Sequence, residues 1–142
     1  MKPIILVLGL LGLTGLFIPD ARSERPFWQK SWTIAAVTGG TTEERSALSS
    51  TIGYRIVMDP TQIIDPVAED CREGVSYDDI QSRPVTELGG HFGRFWKWPN
   101  FPKHSVPYGW VRCEGSNVGA FAFIDAAHGY LFYEGGMILD LR

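Results

Sequence analysis

From Gly109 onward the chain is four apolar runs with almost nothing between them: 109–114 (GWVRCE), 119–124 (GAFAFI), 130–134 (YLFYE) and 137–141 (MILDL), joined by GSNV, DAAHG and GG. Connections this short cannot carry a parallel crossover, which needs about a dozen residues, so the four runs are expected to fold as an antiparallel meander. In the last run Met137, Leu139 and Leu141 alternate with Ile138, Asp140 and Arg142, so at least one of its faces has to be covered. A meander this rich in Phe and Tyr needs a second sheet or closure onto itself to protect its edges.

The N-terminal half supplies the missing strands. Residues 32–37 (WTIAAV) form a β-branched and aromatic run that ends at Gly39-Gly40. Thr41 stands three residues before Glu44, the spacing of a capping box. It predicts a helix over 41–52 with Ala47, Leu48, Thr51 and Ile52 on one face and Gly53 as its stop. Tyr54, Ile56 and Met58 alternate with Arg55, Val57 and Asp59 before Pro60, the pattern of a half-buried strand, and a short strand is expected at 62–65. Between residues 66 and 92 periodicity is lost; this stretch reads as mostly loop with one helical turn at 84–88. The expected fold class is therefore α+β and β-dominated, a small antiparallel barrel or strongly curved sheet of six to eight strands with one or two short helices. A helix lying across an open sheet is the alternative.

The first 23 residues read differently from the rest. Lys2 is followed by an uncharged run over 4–18 and by Ala21-Arg22-Ser23, the small residues of a cleavage site, so residues 1–23 are expected to be a secretory signal peptide. Fifteen helical residues make about 22 Å, short of the ~30 Å needed to span a bilayer. No stable membrane insertion is expected after cleavage, and the product, residues 24–142, should be a single periplasmic or secreted domain. Its formal charge would be −4, against −3 for the whole chain, because Lys2 and Arg22 leave with Asp20. With 44% hydrophobic and 20% charged residues the chain is too apolar for a disordered protein. A domain this small has little material for a deep cofactor cleft, and no cofactor is expected.

An oxidising compartment makes Cys71 and Cys113, 42 residues apart, a disulfide pair. No His lies within four residues of either cysteine, which argues against a metal site.

Between Arg94 and Arg112 lie Phe95, Trp96, Trp98, Phe101, Tyr108 and Trp110, interleaved with Lys97 and Lys103 and with no acid among them. The stretch 59–87 is the opposite, with eight acids against Arg72 and Arg83. Rings with cations between them can stack on sugar rings or bases and attract anionic groups, so Arg94, Trp96, Lys97, Trp98, Phe101 and Lys103 are the candidate binding residues. The same rings are also what a satellite cluster beneath a long loop would contain. A net negative charge outside the cytoplasm argues against nucleic acid as the partner.

Catalytic signals are weak. The sequence has no GxSxG, HExxH or CxxCH. Asp125 and His128 share one expected hairpin loop and are the pair through which catalysis would run; Glu69, Asp70, Asp78 and Asp79 are the carboxylates from which sugar hydrolysis could draw. Periplasmic lysozyme inhibitors share the size, the leader and the stapled strands, but their Ser-Gly-x-x-Tyr loop is absent, the nearest stretch being residues 115–119 (GSNVG). No family is assigned on that basis. The sequence therefore points to a small exported binding module without catalytic activity, an inhibitor or envelope accessory protein with a protein or glycan partner. A small hydrolase of cell-wall or polysaccharide material and a structural component of an envelope assembly are the alternatives.

Overall fold

The computed structural model describes residues 24–142; the expected signal peptide lies outside the described residues. Nine strands form one antiparallel sheet: β1 (Ser31–Gly39), β2 (Arg55–Asp59), β3 (Gln62–Ile64), β4 (Val75–Ser76), β5 (Gln81–Pro84), β6 (Ser105–Cys113), β7 (Ser116–Asp125), β8 (His128–Tyr133) and β9 (Met137–Leu141). Eight follow one another in the order β3-β2-β1-β9-β8-β7-β6-β4, and β5 pairs with β6 beside this path. The sheet curls into a nearly closed barrel with two short helices.

The expected meander is present as β6 to β9, and both of its faces are buried. One face joins Trp32 and Ile34 of β1, Ile56 and Met58 of β2 and Ile63 of β3 in a cluster that takes Phe121 and Phe123 from β7 and Leu139 and Leu141 from β9. Every long strand contributes to it, so it fills the barrel interior. Trp28 plugs it, stacked on Phe123 with ring centroids 5.6 Å apart, while its carbonyl accepts the Trp32 Nε1–H at 2.9 Å. The opposite face presents Tyr108, Ala122, Tyr130, Phe132 and Ile138 to a second cluster on the outside of the barrel.

The barrel closes through a seam between β3 and β6. Ile63 and Cys71 exchange two backbone hydrogen bonds of 2.8 Å, Cys71 is disulfide-bonded to Cys113 of β6, and the Tyr77 hydroxyl donates to the Gln62 carbonyl at 2.8 Å. The disulfide anticipated from composition is thus the staple of the closing edge, and it is consistent with an oxidising environment. No helix among the described residues is long and apolar enough to cross a membrane.

Two local expectations are corrected. The helix forms with both halves of the capping box, Glu44 N–H to Thr41 Oγ1 at 3.2 Å and Thr41 N–H to Glu44 Oε2 at 2.8 Å. It runs only as α1 (Thr42–Leu48) before tightening into a 3-10 turn at Ser49–Thr51. The changed angular step turns Ile52 out, 46% exposed, and only Leu48 and Thr51 remain on the packed side. The stretch 66–92 is also more ordered than expected. It holds β4, β5, a 3-10 turn and α2 (Leu88–Phe92). β5 (QSRP) has no apolar alternation and exists because Gln81–Pro84 pair with β6; α2 contains Gly89-Gly90 and exists because Leu88 and Phe92, one turn apart, bury on the outer face. Tertiary contacts override weak local propensity in both.

Candidate functional site

The aromatic loop between α2 and β6 lies over the outer face of the meander, and the six candidate binding residues do not form one surface. Trp96 and Trp98 turn inward onto Phe132, with ring centroids 5.9 and 5.0 Å from it, and the Trp96 Nε1–H donates to the Tyr133 carbonyl at 2.8 Å. Phe101 meets Tyr130 edge-on at 5.7 Å. Lys103 ties the end of the loop to β7 by donating to the Ile124 carbonyl at 2.9 Å. Arg94 and Lys97 are exposed. Phe95, a member of the aromatic run but not of the candidate set, is 67% exposed and touches Trp96 edge-on.

Between this loop and the ends of β7 and β8 lies an open groove of about 540 Å³, lined by Phe92, Phe95, Trp96, Trp110, Phe132 and Tyr133 among others. It runs into a recess of about 230 Å³ lined by Ala68, Glu69, Asn117, Val118, Tyr133 and Glu134. Among the described residues, the charged ones lining these two spaces are Glu134 and Glu69, both acids, and neither space is lined by Lys or Arg. Burial raises the Tyr133 phenol above its usual range, and the negative charges of Glu134 and Asp65 push it the same way. Asp65 itself is buried. Desolvation raises its carboxyl, against the lowering effect of N–H groups donated by Val67 at 2.8 Å and Ala68 at 3.2 Å.

Arg94 lines a different pocket, of about 490 Å³, together with Arg83, His91, Glu87 and Tyr108. Behind it is a polar network built on Asp79, which the sequence offered only as one of four carboxylates. Asp79 sits between β4 and β5. Its Oδ2 accepts the Trp110 backbone N–H at 2.7 Å and lies 2.7 Å from His91 Nε2. Arg83 donates to the Asp79 carbonyl at 2.7 Å and to the Tyr108 carbonyl at 2.6 Å. One carboxylate thus joins β5, α2 and β6. The signal for this was Gly109: a Cβ there would stand 2.2 Å from the Asp79 carbonyl oxygen, so only glycine lets the 79–80 backbone lie against β6.

Burial by itself would raise the Asp79 carboxyl, but the Trp110 N–H, His91 and Arg83 outweigh it and hold the group below the ordinary carboxylate range. A depressed folded-state value means stability that is fully present above the unfolded value of about 3.9 and is lost as pH falls through the folded one. Wild type is therefore expected to exceed Asp79→Asn in urea midpoint at pH 6, with the gap shrinking between about pH 4 and pH 2. A gap that stays constant over that range would show that the carboxylate is not the linked group.

The other chemical candidates separate. His128 pairs with Asp140, Nε2 to Oδ2 at 3.2 Å, rather than with Asp125, whose Oδ1 accepts the Ala127 N–H at 2.8 Å within the hairpin turn. Both residues flank the same turn, but the strand register hands the imidazole to the neighbouring strand β9. Asp70 accepts from the Asp65 N–H and from Arg72, Asp79 is engaged as above, and Asp78 is exposed; of the four carboxylates only Glu69 borders the groove system. No group of three or more His, Cys, Asp or Glu side chains converges among the described residues.

No protein family, curated protein or solved structure matches the chain.

Proposed function

We propose that the chain is an exported, non-catalytic binding module of the cell envelope, an inhibitor or accessory protein, which receives a protein or glycan partner in the aromatic groove. The observation that carries this reading is the groove itself. Its size, about 540 Å³, falls in the range of ligand sites, and its walls are rings with some polar groups, the composition such sites have. The loop that forms one wall is anchored at both ends, by Trp96 on Tyr133 and by Lys103 on Ile124, so the wall is held in place before a partner arrives. The disulfide and the apolar run over 4–18 support export. The anchor is best assigned to Phe95 with the exposed flanks of Trp96 and Trp110, while Trp98 and Phe101 hold the loop down.

The test is capture from envelope extract. Wild-type protein is expected to retain a partner, and Phe95→Ala to lose about 2 kcal/mol of affinity, roughly thirtyfold, with an unchanged melting temperature because the ring is 67% exposed. Equal capture by both proteins would overturn the assignment of the groove. Glu69 and Glu134, two carboxylates in one recess, are the observation that would favour the hydrolase alternative. Release of soluble sugar from purified cell wall, abolished by Glu134→Gln, would establish it instead.

A further inference from the structure

The strand that borders the groove is incomplete on one side. β7 begins at Ser116, but its pairing with β8 begins only at Ala120, opposite Phe132. On its other side Ser116 and Asn117 pair with Cys113 and Arg112 of β6, and Val118 is the extra residue of a bulge before Gly119 meets Val111. Residues 116–118 therefore have a strand on their β6 side and, among the described residues, lie beyond the end of β8, whose last residue, Tyr133, falls opposite Gly119. Asn117 and Val118 of this segment line the groove together with Gly119 and Ala120. A row of backbone groups without a neighbouring strand is a template for another extended chain.

Charge says what that chain carries. The groove and its recess are lined by Glu134 and Glu69, and the cations of the adjoining loop are elsewhere: Lys103 is bonded to Ile124 and Arg94 lines the pocket around His91. The combination of rings and cations expected from sequence is thus divided, and the rings keep company with acids. We propose that the groove takes an extended basic segment of a partner polypeptide, which adds to the free edge of β7 at 116–118, sets a Lys or Arg between Glu134 and Glu69, and lays an apolar side chain against Trp96 and Trp110. The proposal rests on the binding-module reading and narrows its partner to a protein. An extended chain supplies both features at once, since alternate side chains point to opposite sides and the backbone between them pairs with the edge. A glycan would use the rings and the acids but leave the backbone row without partners. A Lys or Arg stem also packs on aromatic faces while its head reaches a carboxylate.

The test uses three blocked hexapeptides, KFKVKF, EFEVEF, and KFKVKF carrying N-methyl groups at alternate residues, titrated into the isotope-labelled domain and followed by amide and indole NMR signals. KFKVKF is expected to shift the amides of 117–119 and the Trp110 indole. The glutamate peptide should bind at least about tenfold more weakly through charge, and the N-methylated peptide at least about tenfold more weakly through lost backbone pairing. Glu134→Gln should weaken KFKVKF severalfold without changing the melting temperature. Equal binding of KFKVKF and EFEVEF, or no effect of N-methylation, would overturn the proposal. Should no peptide bind while an envelope partner is still captured in a Phe95-dependent way, the basic-segment proposal fails and the binding-module reading stands. Should capture fail as well, both fall.

Discussion

Replacing Cys71 and Cys113 together by Ser is expected to lower stability by about 4 kcal/mol and the melting temperature by roughly 10–20 °C. The estimate comes from the loop closed by the bond, whose ends are 42 residues apart, and the structure shows why nothing nearby would compensate. At the seam β3 is three residues long and β4 is two, so the ladder there is short. Apart from the disulfide, the closure described above consists of two backbone hydrogen bonds between Ile63 and Cys71 and the Tyr77 hydroxyl on Gln62. Ile63, Cys71 and Tyr77 are also buried members of the interior cluster, so opening the seam wets the barrel rather than a surface. Thermal melts with and without reductant, set beside the double Ser variant, measure the effect. A loss under about 1 kcal/mol would mean that side-chain packing alone closes the barrel.

Trp98→Ala is expected to cost about 3 kcal/mol of stability while leaving partner capture through the groove intact. Its ring stands 5.0 Å from Phe132 and 6.3 Å from Phe92, in the second cluster, and it does not line the groove. Removing it leaves a void beneath the loop that the backbone, pinned by Lys103 on Ile124, cannot readily collapse into. Phe95→Ala should give the opposite pair of results. Chemical denaturation of both variants, run beside the capture assay, separates rings that pack from rings that contact. A Trp98 variant that keeps its stability and loses its partner would reverse the two roles.

What was legible in the sequence follows from what local pattern encodes. Ile56 and Met58 show their alternation because one face of β2 is buried, the run from Met137 is nearly all apolar because both faces of β9 are covered, and Thr41 with Glu44 form a cap whose partners are three residues apart. The pairing of Cys71 with Cys113 followed from there being two cysteines and an expected oxidising compartment. β5 and α2 were not legible because their stabilising partners lie on β6, some 16 to 27 residues away. The candidate residues are divided between faces for a related reason. Composition placed Arg94, Trp96, Lys97, Trp98, Phe101 and Lys103 together, but the side on which each projects depends on how the loop crosses β7 and β8. The acids of the groove and its recess, Glu134 and Glu69, come from segments remote from the loop in sequence. Asp79 was hidden among eight acids. Only the glycine at 109, whose necessity appears once two backbones are seen in contact, distinguishes it.

The position of β1 between β2 and β9 sets the order in which this barrel can be assembled. Gly39 pairs with Met137 and Thr33 exchanges backbone hydrogen bonds with Arg142, so β1 cannot complete its pairing until β9 has been made. While β9 is still held in a ribosome, β1 can pair only with β2 and the interior stays unsealed, whereas β6 to β8 can already zip by short turns. Long-range closure of this kind is slow and follows the local pairings. The nascent chain therefore stays open until β9 emerges, and a single late strand decides when the interior leaves water.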